Sequence, residues 1–374
     1  MLPLVELRRM LHRIPELAGN ESETAKILIE ELQATTPDEL YTNVAGYGII
    51  AVYKGQPEKP SVMFRADMDA LPIEEDPGLD YCSERNGVAH VCGHDGHMSM
   101  LVGLARKIAK NRQQFGDVIL LFQPAEETGQ GAIQILKDDA FRNVNPQFVF
   151  GFHSIPGYQL NSIILKKGVF NSASVGITIR LLGKTSHASH PERGKSPALA
   201  LAELIQYTSA LPYTQSFKDV TLTTVIHALL GEIAFGTSPG KAEFRATLRA
   251  FVDTDLEKLK KLLEEKVEQL SQKYQLAHNI SYNDYFPANK NDDEAVELVF
   301  KAAQTLQLSI IKPTTSFRWS DDFAYFSSEF QTAYFGFGAG LEQPELHASN
   351  FDFPDEILEN GVKLLYQILK LASS

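Results

Sequence analysis

The chain has 374 residues, too many for one typical domain and about right for two. Its apolar share of 44% permits a sizeable core, and a formal net charge of −12 argues against nucleic acid and against an anionic membrane surface as partners. No apolar run approaches the roughly 20 residues of a membrane span, Glu6, Arg8, Arg9 and His12 break up any secretory pattern in the first residues, and two cysteines, Cys82 and Cys92, build no disulfide framework, so a reduced, cytoplasmic protein is expected.

Three stretches share one design, an apolar run followed by polar residues: Val62–Asp69, Val118–Glu127 and Phe148–Pro156. Such runs read as buried strands of a parallel or mixed sheet. Helical patterns lie between them at about 96–110 and 129–142, and the alternation predicts an α/β layer fold. In open α/β sheets ligands bind beyond the carboxyl ends of the strands, and here those ends carry Asp67, Asp69, Glu126, Glu127 and His153.

The pattern then changes. Strands at 174–182, 220–229, 242–252 and 278–284 alternate apolar and polar residues, as in a sheet with one wet face, and helices are expected at about 196–210 and 254–275. The order βαββαβ predicts a ferredoxin-like domain. A helix at 292–306, a strand at 333–338 and a last helix at 355–371 are expected to rejoin the first sheet. The small domain, 170–284, is thus read as an insertion in a catalytic domain made of 1–169 and 285–374.

The densest chemistry is HVCGHDGH, residues 90–97, with three histidines, a cysteine and an aspartate ahead of an apolar helical pattern. Thiolate and imidazole are good first-row metal ligands, and a helix N-terminus or a cation lowers a thiol's pKa. Taken singly, each has an ordinary alternative: Cys92 as a buried thiol, His97 as a helix starter, His90 as a surface histidine. Glu126 and Glu127 end a predicted buried strand, where one carboxylate can hold a metal while the other handles protons; capping the next helix is their alternative role. His153 could be a hydrogen-bonded core residue, His347 and His187 loop residues, and Asp67 and Asp69 either turn caps or orienting partners of ligand histidines. There is no P-loop, H-E-x-x-H or early G-x-G-x-x-G.

The succession HRIPEL, RADMDALP, VCGHDGHM, FQPAEE, GFHSIP, GKTSHASHP, RWSDDFAYF and ELHASNFDFP resembles the M20 metallopeptidase family. More narrowly it is similar to its N-acyl-amino-acid amidohydrolases, which include hippurate hydrolases, indoleacetyl-amino-acid hydrolases and N-acetyldiaminopimelate deacetylases. The resemblance spans nearly the whole chain and implies a zinc-peptidase-like α/β catalytic domain with the ferredoxin-like insertion as a lid. It implies Cys92 as a bridge between two divalent cations, with His94 and His153 completing one site and Glu127 and His347 the other. Zinc suits the mixed N, S and O donors; manganese, cobalt and nickel also fit. Glu126 is implied as acid/base, His187 as a lid residue steadying the tetrahedral intermediate, and Asp67 and Asp95 as supports behind the ligands.

The implied substrate is a small N-acyl amino acid, and the implied partner a second copy joined through the lid. Departures from the family pattern are GKTSH in place of G-K-G-G-H, Gly236 where an Asn is usual, and Asp321 in place of Glu. Two other readings stand beside this one. A dipeptidase or aminopeptidase on the same scaffold is disfavoured by the CGHDGH variant, and a silent binding homologue has no chemical need for Glu126.

Overall fold

Apolar runs on neighbouring strands build the centre of an eight-stranded mixed sheet. After β1 (Glu39–Val44) come β2 (Gly48–Tyr53), β3 (Val62–Asp67), β4 (Val118–Gln123) and β5 (Phe148–Ile155), the last four buried at every residue. The sheet order is β1-β2-β4-β3-β5, then Gln331–Gly338, Ile163–Ile164 and Ile310–Ile311. β4, β3, β5 and Gln331–Gly338 run parallel to their neighbours in that order, so their carboxyl ends share one edge. β1 and β2 form an antiparallel pair that continues antiparallel onto β4.

Helices α1 (Leu4–Arg13), α2 (Ser22–Gln33) and α3 (His94–Asn111) and the C-terminal helix Ile357–Ala372 belong to the same unit. α3 packs against α1 and the C-terminal helix. Gly103 permits that approach: a Cβ there would stand 2.5 Å from Val362 and 2.9 Å from Leu4.

The computed structural model describes residues 1–76 and 78–374. It divides into two units, one of Met1–Phe170, Asn289–Thr315 and Asp321–Ser374, the other of Asn171–Ala288 and Ser316–Ser320. In the second unit the elements run Ala173–Leu182, helix Ala198–Thr214, Thr221–Leu230, Lys241–Ala250, helix Asp253–Tyr274 and Ala277–Phe286. Numbered within that unit, the strands are ordered second, third, first, fourth, with every pairing antiparallel, the ferredoxin-like arrangement. No described helix is long and apolar enough to cross a membrane.

One expected helix is shorter than its pattern. The pattern at 129–142 becomes a helix over Gly131–Lys137 and a single 3-10 turn at Phe141–Asn143. Asp138 breaks it with extended dihedrals, and its carboxylate accepts from the Ala45 and Ala140 N–H groups instead.

Candidate active site

Four segments deliver polar side chains to the carboxyl edge of the parallel strands. β3 ends at Asp67 and runs on to Asp69, the chain leaves β4 through Pro124–Glu127, β5 carries His153, and α3 begins at His94. Gly93 precedes α3 with φ 89°, a left-handed conformation that glycine adopts freely, and this turn sets Cys92 beside the helix start.

Asp69 ties two of these segments together. Its carboxylate oxygens accept from the Glu126 and Glu127 N–H groups, each at 3.0 Å, and its carbonyl accepts from His94 Nδ1 at 2.8 Å. The last contact fixes the His94 proton on Nδ1 and leaves Nε2 as a bare donor. In His153, Nδ1 donates to the Ser154 carbonyl at 2.7 Å, and Nε2 lies 3.3 Å from Cys92 Sγ.

The donor atoms lie close together. Cys92, His94 and Glu127 each offer an atom within 4.8 Å of the others, as do Asp67, His94, His97 and His153. His94 Nε2 is 3.6 Å from Asp67 Oδ2 and 3.9 Å from Glu127 Oε1, and His347 Nε2 is 3.7 Å from the same Glu127 oxygen. Ligands about 2.0–2.3 Å from one cation stand some 3–4 Å from each other, the spacing seen here. His94 Nε2 and Glu127 Oε1 are buried and make no hydrogen bond to protein. Buried polar atoms are rarely left so, and a cation satisfies both, so the residues fit a metal centre.

His97 differs from its neighbours. Its Nδ1 donates to Asp67 at 2.7 Å and its Nε2 accepts the Ser154 N–H at 3.1 Å, so neither nitrogen is available as a ligand. It steadies Asp67. His90 is a core residue, 1% exposed, and burial pushes it down to about 3. Asp95, next to His94 in sequence, points away to α1: its Oδ2 is 2.8 Å from both Arg8 Nε and His12 Nδ1. Successive helical residues are about 100° apart, so neighbours in sequence face different partners.

A buried charged network lies behind the donors; the sequence pointed to Asp67 as a support, but not to the part played by Arg65, Gln123, Asp321 and Asp322. Arg65 bonds Asp67 at 2.7 Å, Asp322 at 2.9 Å and Gln123 at 2.9 Å. Asp322 also accepts from Ala132 N–H, and Asp321 from the Tyr334 hydroxyl. Glu126, 6% exposed, shares a cluster with Asp321 and Asp322.

Burial, then Asp321 and Glu127, holds the Glu126 carboxyl well above the usual range. Burial lifts Glu127 to about 7, opposed by its hydrogen bond with Cys92 and reinforced by Asp67. Burial, then Glu127, Glu126 and Asp67, raise the Cys92 thiol, and burial drops His94 to about 4, keeping its imidazole neutral, the form that binds metals. For Asp67, burial is outweighed by His94, His97 and Arg65, and its carboxyl falls well below the ordinary value. Neighbouring groups thus diverge sharply in proton affinity, a common mark of a reactive site.

Residues 63–371 match Peptidase family M20/M25/M40. The chain belongs to this family. It is 30% identical over 372 residues to an N-acetyl-L-cysteine deacetylase of Bacillus subtilis, covering 98% of this chain and 87% of that one. It is 31% identical over 378 residues to a hippurate hydrolase of Campylobacter jejuni, covering 98% and 96%. Among solved structures, a dinuclear metal-binding peptidase of the M20 family from Bacillus subtilis overlays with a TM-score of 0.85 at 24% identity, covering 99% of this chain and 97% of that one. The chain is a metal-dependent hydrolase acting on amide bonds.

Two remaining sequence candidates of this M20 hydrolase lie on unlike backbone. His347 is 50% exposed and holds a left-handed φ of 68°, with its N–H donating to the Val91 carbonyl at 2.9 Å. His187 belongs to the second unit, on the short strand Ser186–His187 paired with Thr237–Ser238. Its Nδ1 accepts the Ser189 N–H at 3.1 Å, which leaves the proton on Nε2. Gly236, whose carbonyl accepts from the Ala188 N–H, has no heavy atom within 4 Å of where a Cβ would stand.

Proposed function

We propose that this hydrolase cleaves the amide bond of an N-acyl-L-amino acid, using two divalent cations held by Cys92, His94, Glu127, His153 and His347. The observation carrying this reading is the pair of buried, unbonded donors His94 Nε2 and Glu127 Oε1 beside the Cys92 thiol, with His347 Nε2 facing the same Glu127 oxygen. Zinc suits this donor set best. The N-acyl-amino-acid substrates named for the deacetylase and hippurate hydrolase relatives support the substrate class. A cytoplasmic setting keeps Cys92 reduced for this use.

When bound, the cations supply Lewis acidity and bring a water's proton affinity toward neutrality. Glu126 takes the proton from the attacking water and returns it to the departing amine. Its burial beside Asp321 gives it the raised proton affinity that a base needs when it must next act as an acid. His187 donates from Nε2 to the oxygen on which negative charge develops. Asp69 and His97 hold the surrounding groups in place.

In this reading the lid's edge strand, Thr221–Leu230, is the seam of a homodimer, because Ile226 and Leu229 on it are 61% and 54% exposed. A monomer by light scattering would remove that part. The central test is a hydrolysis panel with zinc, manganese, cobalt or nickel, comparing acetyl-, benzoyl- and succinyl-amino acids with dipeptides. Faster turnover of the acylated substrates is expected, and Glu126→Gln should lose about 10²–10⁴-fold in kcat while retaining metal. A preference for dipeptides with a free amine, or full activity in Glu126→Gln, would refute the assignment.

A further inference from the structure

The turn carrying Glu126 and Glu127 is held by more than Asp69. Ala125 adopts φ 55°, a left-handed conformation that residues with a Cβ rarely take unless the surroundings impose it. In that conformation the three successive N–H groups of Ala125, Glu126 and Glu127 each meet a buried carboxylate. Glu126 and Glu127 donate to Asp69, and Ala125 donates to Glu21 Oε1 at 2.9 Å. Consecutive N–H groups of this kind form an anion-binding concavity, filled here by two of the protein's own acids.

Glu21 is available for this because another residue caps its helix. It directly precedes α2 yet makes no capping bond to it. Glu16 does so instead, accepting from the Glu23 N–H at 3.2 Å and the Thr24 N–H at 2.9 Å. The Ala70 N–H donates to the Glu16 carbonyl at 2.8 Å, which ties this segment to the chain just beyond Asp69. Glu21 itself is 0% exposed.

We infer that Glu21 is a positioning residue, aiming the Glu127 carboxylate at the metal centre and Glu126 at the reacting water through the Ala125 N–H. This role rests on the two-cation reading given above. Outer groups that fix a ligand are typically worth about 10–100-fold in metal affinity or activity.

The test is competitive chelator titration of zinc alongside kcat and KM. Glu21→Leu is expected to bind the more weakly held zinc about 10–100-fold less tightly and to lose kcat with little change in KM. Glu21→Gln, which keeps an acceptor oxygen, should restore both. Glu31→Leu is the control for general destabilisation, since Glu31 is a buried acid bonded to the Leu2 N–H and Arg106, away from the cluster. It should leave zinc affinity unchanged. If Glu21→Leu does not fold, Glu21→Asp, with its acceptor drawn back by one methylene, must show the same weakening. Unchanged zinc affinity and kcat in the Glu21 variants, or equal losses in Glu31→Leu, would overturn the role alone. A wild-type protein that takes up none of zinc, manganese, cobalt or nickel would overturn the two-cation reading and this role with it.

Discussion

Raising the pH toward 10 should weaken the fold through one buried proton, that of His12. Its Nδ1 lies 2.8 Å from Asp95 Oδ2 and its Nε2 2.8 Å from Glu75 Oε1. Burial alone would lower its proton affinity, but these two carboxylates outweigh burial and the opposing Arg8, and bring it from 6.5 to about 9. The other titratable rings around it are His90 and Tyr81. Because the folded value lies above the unfolded one, the stabilisation is complete below about pH 6.5 and disappears as pH rises through 9. By proton linkage this displacement corresponds to about 3 kcal/mol in full, of which about 2.5 kcal/mol is present at pH 7. Thermal or urea unfolding of wild type and His12→Gln, from pH 7 to 10, measures it. The wild type should lose about 2–3 kcal/mol more than the variant across that range, since lysine, tyrosine and thiol titration is common to both. Parallel pH profiles would refute the reasoning.

Other outcomes follow from the same geometry. Cys92→Ala should lower the number of cations bound per chain by elemental analysis, and unchanged stoichiometry would remove the thiol from the site. Gly96→Ala would place a Cβ 2.4 Å from the Phe353 ring at the first turn of α3. It should destabilise by about 1–3 kcal/mol, and an unchanged melting temperature would show that the ring yields freely. Gly236→Asn enters open space, so melting should be unaffected while KM for an acyl amino acid falls about tenfold, the worth of one added substrate hydrogen bond. Unchanged kinetics would mean that this position does not touch substrate.

The apolar runs of β3, β4 and β5 were legible because a strand covered on both faces has no polar alternation to hide it. The second unit was legible for the opposite reason, its strand Lys241–Ala250 alternating buried with wetter residues, whereas Ala173–Leu182 alternates in sequence but is covered on most of both faces. β1 and β2 escaped notice: the polar stretch behind the apolar GIIAVY, KGQPEKP, is broken by glycine and prolines and offers no histidine or cysteine, and ELYTNV is half polar. Ser316–Ser320 falls with the second unit although it lies far beyond that unit's other residues in sequence, a grouping that no local pattern records. Within the cluster, Asp95 and His97 illustrate the limit. They sit one and three residues from His94, yet one faces Arg8 and His12 while the other uses both nitrogens on Asp67 and Ser154.

What the residues settle by themselves is the chemistry on offer: carboxylates and an imidazole at the ends of buried strands, and a thiol and imidazole at the start of a helix, where backbone period and apolar content decide the local structure. Only the tertiary fold decides which of them meet. The Ala125 N–H reaches Glu21 across 104 positions and Arg65 reaches Asp322 across 257. Desolvation and hydrogen bonding act between atoms in space, so proton affinities, histidine tautomers and the bare donors of His94 and Glu127 come into being when the sheet sets its strands in order.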